Sequence, residues 1–262
     1  MSSDPNASPV NPLPPIVVAL ALAMLVGRFA GMIFQMLALR KEIPLRARIV
    51  PAEIRPIARS AFPVGVSQAF FMLIQQVDNL VLVLFVSFVE IGEFNAAMKI
   101  YTGCLLFPTI ISSVLMPRLS SSAAVSRDAH NGYLILTVLS LVLIAVLGIV
   151  IGLLLSDFTI HLLFGAEFES AGQILEILVV AMLPAFQVYF FRNYLIIIDQ
   201  KPMMITFSVF GLIIRLACAF VLVSQFGIWG SAISILISES LIAIALWYYI
   251  ARVQLRVRTA EE

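Results

Sequence analysis

Long apolar runs separated by short polar connections dominate the chain, and their lengths predict an all-α, polytopic transmembrane bundle. A membrane-crossing helix needs about 20 mostly apolar residues and must satisfy its own backbone polar groups. Seven segments meet that requirement: 16–39, 62–86, 95–117, 132–155, 172–198, 203–224 and 228–250. A run such as LILTVLSLVLIAVLGIVIGLLL (134–155) is apolar on every side, which excludes the alternating strands of a β-barrel. Composition agrees: of 262 residues, 61% are hydrophobic and 12% charged, with a mean hydropathy of +1.06. That profile is far more apolar than a soluble domain.

The net charge of +1 conceals a strongly uneven distribution. Basic residues occupy alternate connections: Arg40, Lys41, Arg46, Arg48, Arg55 and Arg59 in the first, Arg118 and Arg127 in the third, Lys201 in the fifth, and Arg252, Arg256 and Arg258 in the C-terminal tail. The N-terminal tail and the second, fourth and sixth connections contain no Lys or Arg and carry Asp4, Glu90, Glu93, Asp157, Glu167 and Glu169. Lys and Arg favour the cytoplasmic side, so the alternation places the N-terminus outside and the C-terminus inside, in an inner (plasma) membrane. A missed or extra span would scramble it.

The resulting organisation is a disordered extracytoplasmic tail (1–15), a first span (16–39), a basic cytoplasmic linker (40–61), a six-helix lobe (62–251) and a cytoplasmic tail (252–262). Within the linker, Arg55 and Arg59 at i,i+4 predict an interfacial helix on the anionic inner leaflet. FTIHLLFGAEFESA (158–171), broken at Gly165, predicts an interfacial half-helix outside. Pro63, Pro108, Pro117 and Pro184 mark bends, and Gly27–Gly31 and Gly148–Gly152 mark close helix packing.

Ionisable groups inside a bilayer cost about 2.5–3.5 kcal/mol each and usually face a bundle interior or a cavity. Six within the predicted spans need an explanation: Arg28, Asp78, Lys99, Arg192, Arg215 and Glu239. Arg215 and Glu239 lie at matching depths, about twelve and eleven residues into consecutive spans, which predicts a buried pair. Asp78, in the polar string QQVDN (75–79), could pair with Lys99 across the hairpin of the second and third spans, or Lys99 could snorkel to the outer surface, and Arg192 is expected to snorkel inward. Arg28 has no sequence-evident partner. Either a static ion pair or an ion-coupling role fits Asp78 and Glu239.

No phosphate-binding glycine loop, HExxH, Cys/His cluster or nucleophile elbow is present, so no enzyme, metal or cofactor is expected, nor is nucleic-acid binding. His130 and His161 read as solvated, and Cys104 and Cys218 as small buried hydrophobes.

Several strings carry more than hydropathy: IARSAFPVGVSQAFFMLIQQVDNLVLVLFVS (57–87), VEIGEFNAAMKI (89–100), FPTIISSVLMPRLS (107–120), LLFGAEFESAG (162–172) and FGIWGSAISILISES (226–240). From about Pro51 to Val253 the chain resembles the second lobe of lipid-linked oligosaccharide flippases, the polysaccharide (O-antigen) branch of the superfamily that also holds multidrug extrusion transporters. The resemblance implies a two-lobe transporter that moves a polyprenyl-pyrophosphate-linked oligosaccharide by alternating access, as in lipopolysaccharide and other cell-envelope polysaccharide biosynthesis. It also implies that the first span is the last helix of an absent N-terminal lobe, so the chain is expected to be a truncated or half-size form, partnered by that lobe or by a second copy. Arg28, Arg215 and Lys99 are then the substrate-binding candidates, because cationic side chains match phosphate oxygens. Asp78 and Glu239 are the ion-coupling or structural pair. Other readings are a cation-coupled multidrug efflux protein, which mid-membrane arginines disfavour, and a membrane-embedded enzyme acting on polyprenyl phosphates, which would need converging acids or histidines.

Overall fold

A computed structural model describes residues 15–42 and 51–259. The tail at 1–14, linker residues 43–50 and the last three residues lie outside the described residues, and with them most of the predicted disordered tail. The described chain is helical throughout, without a strand: α1 (Pro15–Glu42), α2 (Pro51–Phe85), α3 (Phe88–Cys104), α4 (Leu106–Val125), α5 (Arg127–Phe164), α6 (Glu169–Ile197) and α7 (Lys201–Thr259), plus one 3-10 turn (Ala166–Phe168). Contacts divide it into two units, Met1–Arg55 and Pro56–Glu262. Within the first, α1 is an apolar helix whose described side chains are exposed, including Arg28. The second unit is a packed helical lobe.

Six described helices are long and apolar enough to cross a membrane. The last candidate, 54 residues, would reach about 80 Å if straight, well beyond a hydrocarbon core of about 30 Å. It is folded instead. Gly227 has non-helical angles (φ 56°, ψ −133°), and the two arms run back along each other. Arg215 bonds Ser238, a Cβ on Gly211 would meet the Ile242 side chain, and the Phe207 and Tyr249 rings lie 5.5 Å apart. These pairs are centred on Gly227, so the arms 201–226 and 228–254 form an antiparallel hairpin. The reversal uses Gly227 for its positive φ and Gly230 for close approach, because a Cβ there would run into the Leu222 carbonyl.

Three predicted boundaries change. Residues 51–61 are not a separate interfacial helix but the start of α2, which contains Pro56 and Pro63. The outer segment 158–164 likewise completes α5, and the break falls at Gly165 (φ 93°), followed by the 3-10 turn. The predicted third span is two helices meeting at Leu105. Pro108 accounts for that break, because its ring excludes the carbonyl four residues back, at Cys104, the last residue of α3. At the other end of α3, Ser87 and Glu90 form a capping box: the Ser87 amide donates to Glu90 Oε2 at 2.9 Å and the Glu90 amide to Ser87 Oγ at 3.4 Å.

Helix α6 is the hub. Two thirds (67%) of its most apolar window is buried, against 28% or less for every other candidate span. Small residues let neighbours approach it: Ala171, Ala181 and Ala185 are fully buried, and Gly148 and Gly152 of α5 face Met182 and Val179. A Cβ on Gly152 would lie 2.6 Å from Val179, which explains the GxxxG pair as an α5–α6 seam. The Gly27–Gly31 pair of α1 meets open space. Outward faces, such as Leu139, Leu143, Leu147 and Leu154 of α5, are exposed and apolar, as a lipid-solvated surface requires.

Candidate functional site

The lobe's interior holds one tightly satisfied charge cluster, built by α2 and both arms of α7. Asp78 comes from the polar string of α2, and Arg215 from the first arm. Arg215 Nη2 and Nε donate to Asp78 Oδ2 at 2.9 and 3.2 Å, and both side chains are 2% exposed. The other carboxylate oxygen accepts from Ser231 at 2.9 Å and Ser234 at 3.4 Å. Arg215 Nη1 donates to Ser238 Oγ at 2.6 Å. Ser231, Ser234 and Ser238 stand at i, i+3 and i+7, so the second arm presents one hydroxyl stripe to the pair.

That geometry corrects two expected pairings. Arg215 takes Asp78 rather than Glu239, because the hairpin register brings Ser238 opposite it and α2 inserts its carboxylate alongside. Asp78 therefore does not reach for Lys99, which is exposed on α3. Glu239, 7% exposed, keeps Oε2 without a hydrogen-bond partner, and lines a cavity of about 20 Å³ with Arg192, Ser208 and Phe71. Arg192 is held against α2. Its guanidinium lies 3.8 Å above the Phe71 ring and Nη2 donates to Gln68 Oε1 at 3.3 Å.

His130 also departs from expectation. Half-buried, its Nδ1 lies 3.0 Å from the Leu119 carbonyl and Nε2 2.8 Å from the Tyr194 hydroxyl. A carbonyl only accepts, so Nδ1 carries the proton and Nε2 accepts from Tyr194 when the ring is neutral. The histidine thus ties α4 and α5 to the end of α6. His161 is exposed, as expected. The serine stripe was the main omission of the sequence reading. Its signal, three hydroxyls on one face of an apolar run, is present in SAISILISES, but serine is common enough in membrane helices that spacing alone does not single it out.

Among the described residues no group of three His, Cys, Asp or Glu side chains is arranged to hold a metal. What the lobe offers is a neutralised charge pair in an apolar bundle, with a second arginine and acid beside it. The sequence model of the lipid II flippase MurJ family matches residues 8–260, nearly the whole chain. The chain belongs to that family. No curated protein and no solved structure matches significantly.

Membership of the lipid II flippase family makes this a multi-pass membrane transporter of the lipid-linked-precursor type, and not an enzyme. The superfamily expected from the resemblance holds, since these flippases share it with the polysaccharide exporters. The branch is the lipid II flippase family rather than specifically the O-antigen one.

Proposed function

We propose that this chain supplies one lobe and one further helix of a transporter that flips a polyprenyl-pyrophosphate-linked glycan precursor across the cytoplasmic membrane, with the peptidoglycan precursor lipid II as substrate. The observation that carries the reading is the lipid II flippase match over residues 8–260. The alternation of basic connections supports an N-out, C-in orientation. A second lobe of the transporter completes the cavity, and transport proceeds by rocking of the lobes without a covalent step.

In this reading the candidate charges divide by their surroundings. Asp78 and Arg215, sealed against each other, brace α2 to the hairpin. Within the lobe, exposed Lys99 is the cationic candidate for the pyrophosphate, Arg28 is the exposed candidate on α1, and Glu239 is the acid available for ion coupling. The test is complementation of a strain depleted of its lipid II flippase, with this chain alone and together with an N-terminal lobe from the family. Rescue in either arrangement supports the assignment. Failure in both, with rescue of an O-antigen flippase mutant instead, would move the substrate to the polysaccharide branch.

A further inference from the structure

Among the described residues, Arg192 is a half-buried cation with most of its donors unused. Arg215 is committed to Asp78 and Ser238, whereas of the five N–H donors on the Arg192 guanidinium one is bonded, to Gln68. Its Nε has no partner, and its nearest acid in the lobe, Glu239, shares a small cavity with it without forming an ion pair. The side chain is nevertheless held in place. The Phe71 ring supports the guanidinium from one side and packs edge-on at 5.2 Å against Tyr189, one turn back on α6, whose hydroxyl accepts from Gln75 Nε2 at 3.1 Å.

Gln68, Phe71 and Gln75 also belong to an open face of α2, a shallow surface they share with Ala69, Met72, Leu73 and Gln76 of the same helix. Gln68, Gln75 and Gln76 fall at i, i+7 and i+8, so amides interrupt an exposed helix face that Ala69, Met72 and Leu73 otherwise make apolar. Depth completes the picture. Arg192 lies five residues before the end of α6 at Ile197, about 8 Å, on the side that the basic connections assign to the cytoplasm. That is just beneath the inner headgroup layer, where the phosphates of a lipid arriving from the inner leaflet sit.

We propose that Arg192, stacked on Phe71 beside the exposed Gln68–Gln76 face of α2, binds the phosphate of a lipid-linked substrate as it enters from the inner leaflet. The glutamines contribute neutral donors, and Glu239 behind the guanidinium competes for it, so that the anion is held and then released rather than trapped. This inference rests on the transport reading above and names a residue within it. The shared chemistry, a phosphate ester on a lipid, also occurs in bilayer lipids, and the test separates the two.

The full chain in phosphatidylcholine nanodiscs is titrated with farnesyl pyrophosphate and with farnesol by thermophoresis. Wild type binds the pyrophosphate over the alcohol, Arg192→Gln weakens that binding about tenfold or more, Arg192→Lys by less because a point charge replaces a planar fork, and Glu239→Gln tightens it. Unchanged affinity in folded Arg192→Gln overturns the proposal while leaving the transport reading intact. Should that variant fail to fold, unchanged affinity in both Arg192→Lys and Glu239→Gln does the same. Wild type that binds farnesol as well as its pyrophosphate sinks the transport reading and this inference together. Competition by phosphatidylglycerol as effective as that by farnesyl pyrophosphate assigns the site to bilayer lipid and overturns its role in substrate loading.

Discussion

Removing the guanidinium of Arg215 leaves the Asp78 carboxylate buried at 2% exposure with only Ser231 and Ser234 to solvate it. Three charge-assisted hydrogen bonds vanish, two to Asp78 and one to Ser238, whose hydroxyl keeps its bond to the Ile235 carbonyl. Breaking one side of a buried pair costs about 3–5 kcal/mol, most of it the stranded charge rather than the lost attraction. At about 2–4 °C per kcal/mol for a unit of this size, Arg215→Met should melt about 6–20 °C below wild type. Scanning fluorimetry of Trp229 and Trp247 in nanodiscs measures this directly. Asp78→Asn alone should also destabilise, because it strands the arginine. The double variant Asp78→Asn, Arg215→Met should recover more than half of the loss, since no charge remains to desolvate. Single variants that melt within about 2 °C of wild type, or single effects that simply add in the double, would refute the account of the pair as a buried brace.

Gly152→Ala should cost about 1–3 kcal/mol by forcing a Cβ into Val179, and Val179→Ala in the same chain should restore part of it, read as melting temperature. Gly227→Ala should destabilise by about 1–2 kcal/mol, because an L side chain is strained at φ 56°, and cysteines at Gly211 and Ile242 should crosslink in wild type if the hairpin register is right. Tyr194→Phe removes a hydroxyl bound to His130 and should cost about 1 kcal/mol, detectable as faster hydrogen exchange where α4, α5 and α6 meet. A membrane-impermeant thiol reagent applied from outside should label a cysteine at Glu167 and not one at Asp199, and the opposite pattern would invert the proposed topology.

Spans 172–198, 203–224 and 228–250 are legible because an apolar helix in lipid is chosen by length and hydropathy, local properties that tertiary packing does not override. The hairpin at Gly227 is legible for the same reason, since a glycine between two span-length runs marks a turn. The boundaries at 61 and 158 shifted because a helix, once begun, continues through amphipathic residues as long as its backbone bonds are kept, and hydropathy does not register that continuity.

Partner choice was less accessible. Depth along two helices matched Arg215 with the level of Glu239, one residue from its actual partner Ser238, but a depth argument contains no rotation. The face each helix turns to the interior depends on how small residues such as Gly148, Gly152 and Ala185 let α5 and α6 close, and on how α2 docks against the folded arms. Sequence alone therefore determined an α-helical membrane bundle, the alternation of its basic connections and its family strings. Only the tertiary structure decided that Asp78 belongs to Arg215, that three serines complete that pair, and that Arg192 stands on Phe71 with most of its donors unbonded. The physical reason is range: hydropathy acts along a single helix, whereas a charge pair buried in an apolar bundle is set by the rotation and register of three segments at once.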